Sequence, residues 1–504
     1  MASEWDVIVI GGGSAGLCAA VAAGRAAAGR AAAGRAAAGR AGAGRVLVLE
    51  KGSRAEAGGN AHYSHTGFRA PYDEQSIAPF LADVDPGRRA RLRLPGYSAI
   101  EFAADLDRAT SHRIDPAIRD RFAERAAPTL DWMRELGIPW VPNRTIVTTD
   151  GEHFEPGLVL AAGRGGGGKE LVAAWLSLAE RLGVEVMFEA PAVDIRLGGG
   201  GGHQVTIGGS GPAAGTTVRA QALVAASGGF QADPERRVRF MGSAYLDVRV
   251  RGTHNDTGEV LELLLAQGAA GDGSWDAAVV SPIDGDAPPV GGGNDMNRYS
   301  YTWGITVDRA GRRFFDEGET RQADNYGAVG RYIVERAGDR AFQVFDAVGY
   351  PYIKHYAYKF ATEHRADTIR GLAASAGIDP DGLEATVGAF NEAVQDDRPF
   401  DPTRLDGRHT LGVEPPKSNW ATRLATPPFV AYVVAGGLTF TLGGLRIDPD
   451  ARVVGQDGDP IPGLYATGDI LGIFHGDYPS GAGQTRNAVF GRMAGEGAAA
   501  LAAR

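Results

Sequence analysis

Six residues near the start carry the most specific chemistry in the chain: Gly11-Gly12-Gly13-Ser14-Ala15-Gly16. With the spacing Gly-x-Gly-x-x-Gly, Gly11 permits a tight turn, Gly13 lets a pyrophosphate approach the backbone, and Gly16 lets helix and strand pack closely. Ser14 and Ala15 lie where the opening helix offers free N–H groups and the positive end of its dipole. Glu50 ends the run Arg45-Val-Leu-Val-Leu-Glu50. A carboxylate there can bind the ribose hydroxyls of an adenosine, and it would repel a 2′-phosphate. The two features together point to a dinucleotide other than NADP.

The elements that must position these residues are legible around them. Asp6-Val-Ile-Val-Ile10 is a short β-branched run of the kind buried in a parallel sheet, and an Ala-rich helical pattern follows the glycines. The acidic residue ordinarily follows the glycines by about 20 residues, and Glu50 comes later. The excess is a repeated pentad within 24–45: Gly24-Arg25, Gly29-Arg30, Gly34-Arg35 and Gly39-Arg40, separated by Ala triplets. On a helix each pentad turns by about 500°, so the Arg residues visit every face. Each Gly also weakens a helix by about 1 kcal/mol relative to Ala. The spacing predicts a solvent-exposed excursion, part helical and partly mobile. It is either a tolerated duplication or a basic contact arm for a partner.

Composition narrows the remaining choices. Of 504 residues 74 are Gly, and Cys18 is the only cysteine. One cysteine makes no intramolecular disulfide, no Cys-ligated iron–sulfur cluster and no zinc ribbon, and no metal site is expected. Lys plus Arg is 51 against 61 Asp plus Glu, a formal charge of −10, which suits neither nucleic acid nor an anionic membrane. No apolar run reaches the ~18 residues of a membrane-spanning helix. The acidic opening Met-Ala-Ser-Glu-Trp-Asp is not read as a secretory signal, so a cytoplasmic protein is expected. The length and 44% hydrophobic content suit two or three domains.

Further along, residues 99–136 read mainly as helices, and Gly163-Arg-Gly-Gly-Gly-Gly-Lys169 precedes a helix from Glu170 to Leu182. Val184 to Phe188 and Ala192 to Arg196 read as strands. Ala222-Leu-Val-Ala-Ala-Ser-Gly-Gly-Phe230 is a buried strand ending in a glycine turn. Ser281 to Asp295 is rich in Pro and Gly and reads as a loop into a different domain. Gly463-Leu-Tyr-Ala-Thr-Gly468-Asp469 returns to the strand-plus-turn style, and a helix runs from about Thr485 to Ala503. The expected fold is α/β: a discontinuous Rossmann-like domain, 1–277 and 437–504, with an inserted α+β capping domain, 278–436.

Taken together, Gly11 to Gly16, Glu50-Lys51, Gly58-Gly59-Asn60, Ser227-Gly228-Gly229 and Ala466-Thr-Gly468-Asp469 resemble the flavoprotein family of fumarate reductase and succinate dehydrogenase. Within it the chain is most similar to the FAD-dependent tricarballylate dehydrogenases, through residues 58–73, 251–259, 311–318, 416–420, 437–445 and 478–483. The resemblance implies FAD, with the isoalloxazine between the nucleotide domain and the cap. It also implies that Val193 contacts the cofactor, that Asp469 holds the ribityl chain, and that Gly481-Ala482-Gly483 present N–H groups to the flavin's pyrimidine end. Succinate dehydrogenases link flavin through a His before the Gly-Gly. Lys51 to Ala57 holds none, so non-covalent FAD is expected, with His62 and His65 near substrate or behind its contacts.

The chemistry implied is the making or reduction of a C–C double bond beside a carboxylate or carbonyl. Arg321 falls at the position of the family's proton-donor Arg, or is a surface Arg of the cap. The fumarate reductase clamp is not intact: Phe440-Thr441-Leu-Gly-Gly keeps its Thr without its His, and Tyr478-Pro479 replaces Asn-Arg. Tyr478-Pro479 also resembles the 3-ketosteroid dehydrogenases, which makes Tyr478 an oxyanion donor, an acid/base or a packed aromatic. His254 either faces substrate or caps the next helix, and Arg69 and Arg298 are candidate carboxylate clamps. The expected activity is that of a dehydrogenase or reductase on a small polycarboxylate. The alternatives are a ketosteroid-type dehydrogenase and a non-catalytic flavin electron-transfer or assembly protein. With one cysteine, electrons must leave to an external acceptor, for which the resemblance implies an iron–sulfur membrane protein.

Overall fold

The computed structural model describes residues 4–32, 44–143, 145–165, 167–198, 202–338 and 340–503. The pentads at Gly34-Arg35 and Gly39-Arg40 lie outside them. The chain divides into two compact units: Met1–Arg236, Thr253–Ala277 and Phe440–Arg504 form the first, and Arg237–Gly252 with Ala278–Thr439 form the second. Arg237–Gly252 corrects the expected boundary. The reason is a long-range pairing: Arg249 and Val250 run parallel to Gly437 and Leu438 in the second unit's sheet.

The first unit is built on an eight-stranded sheet. Its parallel centre places Glu4–Ile10 between Thr217–Ala225 and Val46–Leu49, and Glu185–Met187 follows outside Val46–Leu49. Pro460–Ala466 joins parallel to the end of Thr217–Ala225. Val7 to Ile10, Val46 to Leu49 and Leu223 to Ala225 are all buried, as near-continuous apolar strands in a covered parallel sheet should be. Two long helices, Ser14–Ala32 and Ala482–Ala502, pack against each other at backbone distance. A Cβ on Gly495 would come 2.1 Å from the Ala19 carbonyl oxygen, so only glycine admits that approach. The first helix carries Gly24-Arg25 and Gly29 without a break, so this part of the expected excursion is an extension of the dinucleotide helix. Helices Ala99–Ala109 and Pro116–Glu135, each begun by a side-chain cap from Ser98 or Asp115, fall where the sequence placed them.

The second unit has a six-stranded sheet around the long strand Phe429–Thr441, which pairs antiparallel with Ala341–Phe345 and His364–Ala366. Helices Ile369–Ala376 and Pro380–Ala393 close one core with Ile305, Val307, Phe342, Phe390 and Phe429. Ser281 to Asp284, expected as loop, is the end of the buried strand Ala278–Asp284, because Pro282 is tolerated in it. The helix Gln322–Ala337 begins at Arg321.

Candidate functional site

The glycine turn opens at the C-terminal end of Glu4–Ile10. Gly11 has φ +112°, and a Cβ there would lie 2.3 Å from the Ala226 carbonyl oxygen. Only glycine can take this position. Gly16 serves packing, since its Cβ would lie 2.0 Å from the Gly11 carbonyl oxygen. At Gly13 the space is open, with the Gly58 carbonyl oxygen 3.8 Å from a Cβ position.

This turn is one wall of a cavity of about 520 Å³ in the first unit, a size ordinary for ligand sites. Gly11, Gly13, Ser14 and Ala15 face it, as do Glu50, Lys51, Gly58, Gly59 and Asn60. Val193, Ser227, Gly228, Gly468 and Asp469 complete the expected set along its walls. Gly16 lies behind the turn. Gly481, Ala482 and Gly483 lie outside the cavity, at the start of the last helix.

The cavity's charges are organised. Glu50 accepts from the Gly12 N–H at 2.7 Å and the Gly52 N–H at 2.6 Å, and burial pushes its carboxyl above the usual range. Lys51 donates to Thr257 Oγ1 at 2.6 Å and pairs with Glu259 at 2.9 Å. Asn60 Oδ1 accepts from the Thr253 N–H, which ties the 58–60 turn to the segment at 253. Asp469 pairs with the buried Arg486, whose guanidinium lies 5.3 Å from the ring centres of both Phe440 and Phe474. Burial lowers Arg486 to about 9, and its Nη1 has no hydrogen-bond partner among the described residues.

Several cavity residues escaped the sequence reading: Asp256, Arg236, Glu259, Glu262 and Asn487. Asp256 is the most consequential. It is buried, its Oδ2 accepts from Gln231 Nε2 at 2.6 Å, and burial raises its carboxyl to about 7. The only signal for it was its place in Thr253-His-Asn-Asp256-Thr-Gly258, a segment identified without a role for the Asp.

The start of the last helix forms a second feature. Gly481 has φ +83°, and a Cβ there would strike Leu158 Cδ1 at 2.4 Å and the Arg69 nitrogen at 2.9 Å. Gln484 Oε1 is buried without a hydrogen-bond partner among the described residues. Tyr478 is buried, its ring 5.0 Å from Phe440 and 5.5 Å from Phe474. Arg113 and His475 flank the same loop, with Ser274 Oγ accepting from the Gly476 N–H at 3.0 Å.

Five further expected site residues have the following surroundings. Arg69 pairs with Asp105 at 2.7 Å and donates to the Ser480 carbonyl, so its guanidinium holds the loop and is no open clamp. Arg298 is buried in the second unit on Asp284 and the Ala357 carbonyl, also committed. Thr441 is fully buried, its Oγ1 accepting from the Phe230 N–H at 3.4 Å, beneath the 227–230 turn. His254 is exposed, with Glu56 4.0 Å away, and it does not cap the helix Glu259–Ala266, whose N-cap is Gly258. Arg321 stands at the N-cap of Gln322–Ala337 in the second unit.

The arrangement fits FAD. A turn built of obligatory glycine offers N–H groups to phosphates, a carboxylate stands at the ribose position, and unpartnered buried polar atoms, Gln484 Oε1 and Arg486 Nη1, stand at the start of the last helix. Comparison with known proteins agrees. A family described as FAD binding domain matches residues 24–484. The NADH:fumarate oxidoreductase of Klebsiella pneumoniae (strain 342) is 26% identical over 510 residues, 98% of this chain and 48% of that protein. The chain thus spans about half the length of that relative. The 4-oxocyclohex-2-ene-1-carboxylate 5-dehydrogenase of Sinomonas cyclohexanicum is 29% identical over 365 residues, 66% of this chain and 60% of that protein. The open conformation of a flavocytochrome c3 fumarate reductase superposes with a TM-score of 0.70 at 21% identity, over 99% of this chain and 79% of that one, a likeness of fold. Among the described residues no helix is long and apolar enough to cross a membrane. The chain belongs to the FAD binding domain family, and FAD is its cofactor.

Proposed function

We propose that this chain is an FAD-dependent oxidoreductase that forms or reduces a C–C double bond beside a carbonyl or carboxylate. FAD supplies the hydride acceptor or donor. The protein's own residues orient the activated group, stabilise its developing negative charge and move the proton. Tyr478 is the residue we assign to the first two tasks: a hydroxyl on a buried ring walled by Phe440 and Phe474 can donate to a carbonyl oxygen in an apolar setting. Arg321 is assigned to the proton, since its place in the sequence resembles that of the family's proton-donor Arg.

The observation that carries the choice of substrate is the commitment of Arg69 and Arg298 to the carboxylates of Asp105 and Asp284. A tricarballylate-like polycarboxylate needs two or three converging cations, and these two are spent on Asp105 and Asp284. A ketone or enone activated by Tyr478 fits better, in the manner of the relative named for a cyclic keto acid. Arg113, exposed beside the Tyr478 loop, keeps a single-carboxylate substrate as a second reading. We read the FAD as non-covalent, because Lys51 to Ala57 holds no His, and the electrons as passing outside this chain, because Cys18 is its only cysteine. Tyr478→Phe is expected to slow flavin reduction or reoxidation by substrate at least about 100-fold, typical of a lost oxyanion donor. Near-normal rates in stopped flow would remove Tyr478 from the mechanism.

A further inference from the structure

The carboxylates along the cofactor cavity are unequally provided for. Asp469 has Arg486. Glu259 has Lys51. Glu262 has Arg236, which also takes Asp233. Glu50 has two backbone N–H groups. Asp256 has, among the described residues, one side-chain donor, the neutral Gln231 amide on Oδ2. Its Oδ1 lies at the glycine turn itself, 2.4 Å from where a Cβ on Gly228 would stand, and Gly228 faces the cavity at φ +78°. The cavity must also receive a pyrophosphate, two further negative charges.

We propose that Asp256 contacts the cofactor as a neutral carboxylic acid, so that FAD binding draws one proton from solution onto it. An ionised Asp256 would add a negative charge beside Glu50 to the wall that faces an anionic ligand. A protonated one removes that repulsion and gains a donor for an oxygen of the cofactor. The groups facing it are consistent with a proton held near neutrality. Burial is the chief cause, Glu50 and Glu259 add repulsion, and the Gln231 amide and Lys51 oppose it only in part, leaving the carboxyl at about 7. Asparagine at this position keeps the shape and a donor without the charge.

The test uses full-length apoprotein reconstituted with FAD and reads the dissociation constant by flavin fluorescence between about pH 6 and pH 9. Above neutrality the wild-type constant should rise about tenfold per pH unit, the slope for one proton taken up. Titration calorimetry in two buffers of different ionisation heat should then report uptake of about one proton near pH 8. Asp256→Asn should bind tightly with a flat profile and no uptake, and Glu50→Gln should keep the slope. A flat wild-type profile with no uptake would overturn the proposal without need of any variant. So would a slope that survives in Asp256→Asn, or one that vanishes only in Glu50→Gln, which would move the proton to Glu50.

Discussion

In the second unit the buried carboxylates of Asp284 and Glu317 each meet a guanidinium, Arg298 and Arg313, and the buried Lys417 donates to the Thr302 and Gly304 carbonyls. In the first unit Glu50 and Asp256 are, among the described residues, hydrogen-bonded only to neutral donors, beside an open cavity. The first pattern is closed: each of these carboxylates is paired within the protein, and the ion pairs fasten strand Ala278–Asp284 and the turn leading to Arg321. The second is open: the charges are arranged for something the protein must receive. The difference separates charge that builds a fold from charge that serves a ligand, and residue type alone does not reveal it.

The comparison can be strained at three points. The largest effect is expected at the phosphate turn. Gly13→Asp places an anion where Gly13 leaves open space, and FAD affinity should fall by about 1000-fold or more, about 4 kcal/mol. Full flavin absorbance in the purified variant would break the cradle. A large effect is also expected in the closed unit. Glu317→Gln leaves the Arg313 guanidinium, 4% exposed, without its carboxylate and should destabilise the chain by about 3–5 kcal/mol. Denaturant unfolding that showed no loss would mean that the pair is not structural. The smallest effect is in the opposite direction. The native carboxyl of Asp256 titrates near 7, against 3.8 for an ordinary Asp, so the native apoprotein binds the proton more tightly than the unfolded chain. Its stabilising contribution is complete below about pH 4 and is lost as pH rises through about 7. Asp256→Asn should therefore raise apoprotein stability near pH 8, on the order of 2 kcal/mol, and the gain should shrink toward pH 5. A loss at both pH values would place Asp256 with the closed pairs.

What the sequence made legible follows the same division. Gly11 to Gly16 and Glu50 could be read because a phosphate turn and a strand-end carboxylate are local features. They survived even the pentads, the first of which simply lengthen the helix. The apolar strands at Asp6–Ile10 and Ala222–Ala225 could be read for the same reason. Arg69 and Arg298 were misjudged because a guanidinium's availability depends on its partner, and Asp105 stands 36 residues from Arg69. His254 does not cap the next helix, and nothing local in the sequence says which way a loop side chain turns. Asp256 gave no signal beyond the segment it sits in, since its character arises from Gln231, 25 residues away, and from the Glu50 wall. The join of Arg237–Gly252 to the second unit rests on a two-residue strand pairing across the sequence, below any periodicity a reader could detect.

In the proposed reaction the C–C bond is activated by a single carbonyl, with Tyr478 as the polarising group. Anaerobic flavin spectra recorded with a panel of cyclic ketones, enones, ketosteroids, dicarboxylates and tricarballylate test it most directly, oxidised enzyme with the saturated members and reduced enzyme with the unsaturated ones. Rapid bleaching or reoxidation is expected with a ketone or enone, and its loss in Tyr478→Phe. Turnover confined to tricarballylate or fumarate, or turnover indifferent to Tyr478, would contradict it.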